Sequence, residues 1–209
     1  ATPPMNLRHL ALLIISLGTC AFSDTAARAQ TAGVSPAIEN WILVAAGDYA
    51  PLLRAPDEPE RVAVPAFWMQ RHPVTNADFV AFVRANPAWQ RGKVSPLFAD
   101  ENYLAHWAGP LDPGPLAPLD APVVRVSWYA ARAYAEWIGA RLPLIAEWER
   151  AANVGFTTDD AATEPAVRTL IAGWFARPFP DVLPAVAQGH ANRLGLHDLH
   201  GLVWEWVEN

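Results

Sequence analysis

The residues best suited to bind a metal ion lie together near the end of the sequence. His190, His197 and His200 fall within eleven residues, and Asp198 and Glu205 add two carboxylates. Imidazole and carboxylate groups are ligands of transition metals, so this group could form a metal site. The spacing matches no standard metal-binding signature, however, and histidine is ordinary in irregular loops. We therefore interpret the three histidines as solvated or core-capping residues.

Thiol chemistry is limited by the cysteine count. Cys20 is the single cysteine among the 209 residues. One cysteine can form neither an intrachain disulfide nor a zinc site built on cysteine ligands. Any fold formed by this chain must therefore hold together without covalent cross-links.

Two carboxylates flank a tryptophan in the second half of the chain. Because Glu147 and Glu149 are separated only by Trp148, one carboxylate could face the core and the other water. A buried carboxylate must be paired or hydrogen-bonded to offset its desolvation. The nearest candidate partner for Glu147 along the sequence is Arg141.

Five residues near the end of the sequence, 203–207, alternate between tryptophan and other side chains. Trp204 and Trp206 alternate with Val203, Glu205 and Val207. Alternation of this kind predicts a strand that carries both indoles on one face. We interpret that face as core rather than as a platform on which a substrate stacks.

The elements that must position these groups are short. Branched apolar runs predict extended segments at Trp41–Val44, Val62–Val64, 67–69 and 122–126.

The first helix has the clearest start signal. Thr75 is a suitable N-cap, and Asp78 occupies the capping-box position three residues later. Phe79, Phe82 and Val83 then follow at the spacing of one buried helix face.

Later segments are predicted from caps and helix breakers. Ser127 is a suitable N-cap for a second helix that Gly139 closes, and a third helix is predicted at 144–152. Residues 87–122 contain seven prolines but also interleaved aromatics, so we expect an ordered loop packed on the domain. The polar residues 157–168 are expected to form a mobile loop.

Composition excludes several classes of protein. Apolar residues make up 52% of the chain, charged residues 17%, and the net charge is −6. This composition fits a globular domain with a core, and it lacks the basic excess of nucleic-acid-binding proteins. Ten Trp together with 20 Pro and 12 Gly indicate a domain rich in irregular structure.

The N-terminal residues have the pattern of an export signal. After 1–4, which we interpret as translated sequence upstream of the start, Met5 and Arg8 precede a short apolar run at 10–17. The run is too short to span a bilayer, and Ala-Arg-Ala at 27–29 provides a small-x-small cleavage pattern. We expect residues 1–29 to be removed, and the mature protein to be periplasmic or secreted with no membrane segment.

Four segments carry a resemblance to a known family. They are Pro-Val-Thr-Asn at 73–76, Pro-Val-Val-Arg-Val-Ser-Trp at 122–128, the Arg-Leu-Pro and Ala-Glu-Trp-Glu-Arg-Ala-Ala elements within 141–152, and Gly-Leu-Val-Trp-Glu-Trp-Val at 201–207. In this order they resemble the sulfatase-modifying-factor family, which includes the formylglycine-generating enzymes. The resemblance covers residues 41–209 and implies an α+β, C-type-lectin-like domain with little regular secondary structure.

The resemblance implies a copper chemistry that these residues cannot perform. Catalytic members of the family bind copper(I) through two cysteines, whose soft thiolates suit that ion. Residues 30–209 contain no cysteine, so neither a catalytic residue nor the family's copper site is expected in them. The resemblance also makes Glu147 a structural anchor rather than a catalytic acid. In place of the family's usual Thr-Glu, Leu144 and Ile145 open the third helix, which loses a side-chain cap.

A calcium site is also implied by the resemblance. Carried over to this chain, its ligands are Glu205, the carbonyl groups of Gly201 and Val203, and an upstream set near Asn192 and Asp198. Oxygen ligands arranged in a turn suit Ca²⁺. Leu202 stands where the family usually has Asn, and it supplies no side-chain oxygen.

Two functions are compatible with the sequence. The sequence of residues 199–206 is most similar to that of the branch that includes NirV-type accessory proteins, found beside copper nitrite reductases. This branch implies an exported, non-catalytic accessory or maturation factor for a periplasmic partner such as a copper nitrite reductase. Because the chain stops directly after an apolar run, we expect the domain at 30–209 to lack its C-terminal part. The alternative is therefore an N-terminal fragment of a formylglycine-generating oxidase that acts on protein cysteine.

Overall fold

The structure is a computed structural model that describes residues 38–51, 57 and 59–209. The predicted signal peptide lies outside these residues. The described part combines four short strands with four α-helices and long irregular segments, so the fold is mixed α and β with little regular structure. None of its helices has the length and apolarity needed to cross a membrane.

The strands form two antiparallel pairs. Strand β1 (Trp41–Val44) pairs with β4 (Phe67–Gln70), with Trp41 opposite Gln70. Strand β2 (Gly47–Tyr49) pairs with β3 (Val62–Val64). The extended segments predicted at 41–44, 62–64 and 67–69 are therefore confirmed.

Helix α1 (Asn76–Ala85) begins as its sequence predicts. The Thr75 hydroxyl accepts from the Asp78 backbone N–H at 3.2 Å, and the Asp78 carboxylate accepts from the Thr75 N–H at 3.0 Å. This capping box satisfies two N–H groups at the helix start. Phe79 and Phe82 are buried on the predicted face.

The main core forms between α1, helix α2 (Trp128–Trp137) and the proline-rich loop 87–122. Trp107 from that loop is almost fully buried, and its indole N–H donates to Asn76 Oδ1 at 3.0 Å. The prediction of an ordered loop packed on the domain is confirmed.

The strand predicted at 122–126 is wrong. Among the described residues this segment makes only an isolated bridge, between Thr75 and Pro122. Arg125 has a φ of 57°, which takes the backbone out of the extended region, and its carbonyl accepts from the Leu104 N–H at 2.9 Å. The chain still reaches Ser127, which caps α2 as predicted.

Helix α3 (Ile145–Ala152) confirms the third predicted helix, whereas a fourth was not predicted. Helix α4 (Pro165–Ala176) starts inside the polar stretch 157–168, and a 3₁₀ turn, Ala161–Thr163, precedes it. The expectation of a loop throughout this stretch is wrong, since part of it is helical and Glu164 ties the stretch together. Its carboxylate accepts from the backbone N–H groups of Phe156, Thr157 and Thr158 at 2.7–3.1 Å.

The strand and core predicted for the final residues are also wrong. Residues 203–209 contain no strand, and Trp204 and Trp206 are 78% and 49% exposed. The Trp206 indole donates to the Val126 carbonyl at 3.0 Å, and Trp204 packs against Trp174 of α4 with ring centroids 5.2 Å apart. Alternation predicted a buried face for the two indoles, but both lie near the surface, where Trp204 contacts α4 and Trp206 contacts Val126.

Candidate functional site

The start of helix α3 is fixed by an ion pair predicted from the sequence. The Arg141 guanidinium donates to both Glu147 oxygens, at 2.7 and 2.6 Å, and Glu147 Oε2 also accepts from the Leu144 N–H at 2.8 Å. The bond from Arg141 lowers the pKa of the Glu147 carboxyl against the opposing effect of burial. Glu147 is thus an ionised group with its oxygens engaged, which fits an anchor and not a general acid.

A second carboxylate joins the C-terminal segment to the same helix. The Trp148 indole N–H donates to Glu205 Oε2 at 2.5 Å, across 57 residues of sequence. Burial, assisted by the negative charge of Asp198, raises the pKa of Glu205 to about 7, and the indole bond opposes that rise. The edge of the Trp148 ring also meets the His200 ring, with centroids 5.8 Å apart. Trp148 therefore positions both Glu205 and His200.

The three histidines have separate surroundings. His200 Nε2 lies 3.1 Å from the Ala152 carbonyl, and His190 packs against Phe156 with centroids 5.7 Å apart. His197 Nδ1 is buried without a hydrogen-bond partner among the described residues. Across the described part of the chain, no three His, Cys, Asp or Glu side chains come together in a way that could hold a metal ion. His200 is half-buried and fits a core-capping residue, whereas His190 is exposed and fits a solvated one.

The candidate calcium ligands differ in how far they are already engaged. Asn192 Oδ1 accepts from the Leu194 and Leu196 N–H groups at 3.0 and 3.1 Å, and its Nδ2 donates to the Ala151 carbonyl at 3.0 Å. The amide of Asn192 is therefore used in shaping the loop.

The other four candidates keep an oxygen available. Asp198 uses Oδ2 to accept from the Ala187 N–H at 2.6 Å, and Glu205 uses Oε2 for Trp148. Their second oxygens, and the carbonyls of Gly201 and Val203, accept no hydrogen bond from the described residues. A cation with oxygen ligands would suit this set.

Some of these groups line a large cavity, namely Arg141, Glu147, His197, Val203 and Glu205. It measures about 1010 Å³, and its walls come from β4, α2, the start of α3 and the C-terminal segment. Its lining is mostly apolar and includes Trp41, Phe67, Trp68, Met69, Val123, Arg125, Tyr134, Ile138, Arg141, Glu147, Phe179, His197, Trp204, Glu205 and Trp206. A cavity of this size and polarity is typical of a binding site. Its two carboxylates are both engaged by hydrogen bonds, and it offers no thiol.

Comparison with known sequences identifies the family. Residues 25–209 match the sulfatase-modifying factor enzyme 1-like domain. The chain belongs to this family. The resemblance inferred from the four motifs is thereby confirmed.

Proteins of several different names are similar in sequence to this chain. The inactive C-alpha-formylglycine-generating enzyme 2 of Mus musculus is 34% identical over 197 residues, which cover 77% of this chain and 64% of that protein. The formylglycine-generating enzyme of Mycobacterium tuberculosis is 32% identical over 192 residues, 70% of this chain and 64% of that protein. The serine/threonine-protein kinase Pkn1 of Chlamydia trachomatis is 34% identical over 151 residues, 71% of this chain. The chain spans about a quarter (24%) of the kinase's length and under two thirds of the other two.

Some residues that organise the domain were not predicted from the sequence. Glu164 was not singled out, although the Glu-Pro pair at 164–165 is a recognisable helix start. Arg125 and His106 were also missed. Nothing in the local sequence signals that Arg125 adopts a positive φ or that the buried nitrogen of His106 lacks a partner.

Proposed function

We propose that this chain is a non-catalytic member of the sulfatase-modifying-factor family that acts as an exported accessory or maturation factor. The observation that carries the proposal is the absence of cysteine from residues 21–209. Without thiolates these residues lack the two soft ligands of the family's copper(I) site, and among the described residues that line the large cavity Met69 alone offers a sulfur atom, as a single thioether. A relative named as an inactive formylglycine-generating enzyme supports the idea that the fold persists without the chemistry.

The cavity suits a binding role. Exposed aromatic side chains surround it, among them Trp68, which is 58% exposed, and Trp204. Large aromatic residues at the surface supply much of the binding energy in protein interfaces. We infer that this aromatic rim contacts the partner, and we infer a C-type-lectin-like arrangement for the domain that presents it.

The compartment and the partner follow from two sequence features. The signal pattern at 1–29 supports export, and the sequence of residues 199–206 supports membership of the NirV-type branch. Together they favour a periplasmic partner such as a copper nitrite reductase. A direct test is to measure binding of the purified chain to a copper nitrite reductase by surface plasmon resonance. Saturable binding that weakens in W68A and W204A, but not in L97A on an exposed loop, supports the proposal; absence of binding contradicts this choice of partner.

The alternative is an oxidase of which this chain forms the N-terminal part. It is favoured by the similarity to a formylglycine-generating enzyme. Sequencing the gene on both sides of these 209 codons separates the two functions. A downstream segment with paired cysteines in the same reading frame would contradict the accessory function, and a frame without them would contradict the oxidase.

We further propose a structural calcium ion at Asp198, Glu205 and the carbonyls of Gly201 and Val203. The support is chemical: two carboxylates lie close enough for the charge of Asp198 to raise the pKa of Glu205, and each keeps an oxygen free. A bound divalent cation would relieve that repulsion. Asn192 would act on the site only through the shape of its loop.

A further inference from the structure

A second, smaller cavity shares Val124, Arg125 and Phe179 with the large cavity described above. It measures about 140 Å³ and is formed by the start of α1, the proline-rich loop and the segment around Phe179. Liquid water occupies about 30 Å³ per molecule, so the cavity has room for several waters or one small ligand. Its polar side chains are Asn76, His106, Arg125 and Asp181.

One of these side chains has a buried polar atom without a hydrogen-bond partner among the described residues. His106 Nδ1 is buried and has no partner among the described residues. Buried polar atoms are rarely left without one, because losing water without a replacement bond is costly. Asn76 does not supply it, since its amide is engaged by Pro118, Ala121 and the Trp107 indole. Because His106 lines the cavity, a molecule bound there could supply the missing partner.

The charge around His106 is positive. Burial lowers the pKa of His106, and the guanidinium groups of Arg125 and Arg91 lower it further. Arg91 is directed by a hydrogen bond to the Trp107 carbonyl. Arg125 makes no ion pair and no side-chain hydrogen bond with any described residue. An imidazole whose pKa is lowered and an exposed guanidinium without a partner among the described residues thus line one small space.

The backbone of Arg125 is unusual as well. Its φ of 57° is a conformation that residues other than glycine seldom adopt. The hydrogen bond from the Leu104 N–H to the Arg125 carbonyl joins this turn to the loop that carries His106. Unusual backbone of this kind is concentrated at ligand-binding sites. Asp181 is the single carboxylate in the lining, and it is exposed and forms no ion pair with Arg125 among the described residues.

We propose that this cavity is a binding site for a small oxyanion, held by the Arg125 guanidinium and by the ring N–H of His106. A guanidinium forks onto two oxygens of a carboxylate, sulfate or phosphate, and an imidazole N–H completes the set. The inference does not rest on the proposed accessory role: the site shares Arg125 with the large cavity, but His106 and Asp181 line only the small one, and no polar group of the site takes part in the Trp148–Glu205 contact. The ligand is a free anion or the anionic group of a larger molecule.

The test is calorimetric titration of the intact chain with inorganic phosphate, sulfate and acetate at constant ionic strength, near pH 7.5. The expected result is saturable binding with one anion per chain. The R125G variant should weaken it about tenfold or more, since it removes a charged hydrogen-bond donor. Glycine accepts a positive φ, so R125G keeps the backbone. R132Q is the matched control, because Arg132 lies on α2 beside Glu136 and outside this cavity.

Two further results would support or overturn the site. D181N should tighten binding, because it removes the one negative charge from the lining. The NMR signals of the His106 imidazole should shift on titration with phosphate in the unmodified chain and much less in R125G. A preference for phosphate or for acetate would assign the class of anion. The absence of saturable binding by all three anions, or an equal loss in R125G and R132Q, would overturn the proposal.

Discussion

The Trp148 indole donates a 2.5 Å hydrogen bond to the Glu205 carboxylate, joining helix α3 to the C-terminal segment. The contact explains how a carboxylate is tolerated at this depth, since a buried acceptor needs a partner. It also places Glu205 between a donor and the charge of Asp198, which is the arrangement on which the proposed calcium site depends.

Replacing Trp148 by Phe should destabilise the domain. The variant removes the indole donor and leaves Glu205 without its partner, a loss that costs about 1–3 kcal/mol for a buried polar group. The pKa of Glu205 should rise above about 7, because the indole bond holds it down. Urea unfolding measures the first effect and NMR titration the second. W204F is the matched control, since Trp204 is mostly exposed; equal costs for the two variants would contradict the role given to Trp148.

Calcium should raise the melting temperature of the chain relative to a sample with excess chelator. A ligand present at about a hundred times its dissociation constant stabilises the folded state by roughly 2.7 kcal/mol. The shift should disappear in E205Q and D198N, which remove ligand charge, and should remain in N192A once its own lower stability is subtracted. Thermal melts followed by circular dichroism provide the measurement, with magnesium as the competing ion. Identical melts with and without chelator would argue against a structural ion.

The missing cap of helix α3 can be restored. Leu144 stands at the N-cap and is largely exposed, while the Ile145 N–H is met by Asn209 Oδ1 at 3.0 Å. A serine hydroxyl at position 144 could accept from the N–H groups of the first turn. We expect L144S to be more stable than L144A by about 1 kcal/mol, since both variants lose the leucine side chain but only one gains a cap. Chemical denaturation of L144S and L144A measures this difference. Equal stabilities would contradict the prediction and show that Asn209 and Glu147 already satisfy the N–H groups at the helix start.

Glu164 should make the domain sensitive to acid. Burial raises the pKa of Glu164, but hydrogen bonds from Thr157 and Thr158 outweigh it and lower the pKa to about 2. A carboxyl whose pKa is lower in the folded state stabilises that state at pH values above the pKa of the unfolded chain, near 4.5. This stabilisation is lost as the pH falls toward 2. The free energy of unfolding should therefore drop less steeply between pH 4.5 and 2 in E164Q than in the unmodified chain. The urea midpoints of E164Q and of the unmodified chain, measured across this range, test the prediction, and equal slopes for the two proteins would contradict it.

Local patterns predicted the parts of the structure that depend on near neighbours. The Thr75–Asp78 capping box and the Arg141–Glu147 pair span three and six residues, and both are confirmed. Contacts between distant residues were not predictable in this way. Trp148 and Glu205 lie 57 residues apart, and no local signal specifies that they meet.

The strand predicted at 122–126 failed for a related reason. Apolar residues there indicate a buried extended chain, but a strand also needs a neighbour with a free edge. Here two backbone carbonyls of the segment accept separate hydrogen bonds. The Arg125 carbonyl accepts from the Leu104 N–H, and the Val126 carbonyl accepts from the Trp206 indole. The cavity lined by His106 and Arg125 escaped prediction because it depends on the unusual backbone of Arg125 and on an unpaired nitrogen, neither of which the sequence displays.

The central claim is that this domain does not perform the oxidation known for catalytic members of its family. The most direct measurement is to incubate the purified chain with copper(I), oxygen and a cysteine-containing peptide substrate, and to analyse the peptide by mass spectrometry. The formylglycine-generating enzyme of Mycobacterium tuberculosis serves as the positive control. We predict that the peptide is recovered with its cysteine intact, because residues 21–209 provide no thiolate to bind copper. Conversion of that cysteine to formylglycine by the chain would contradict the claim.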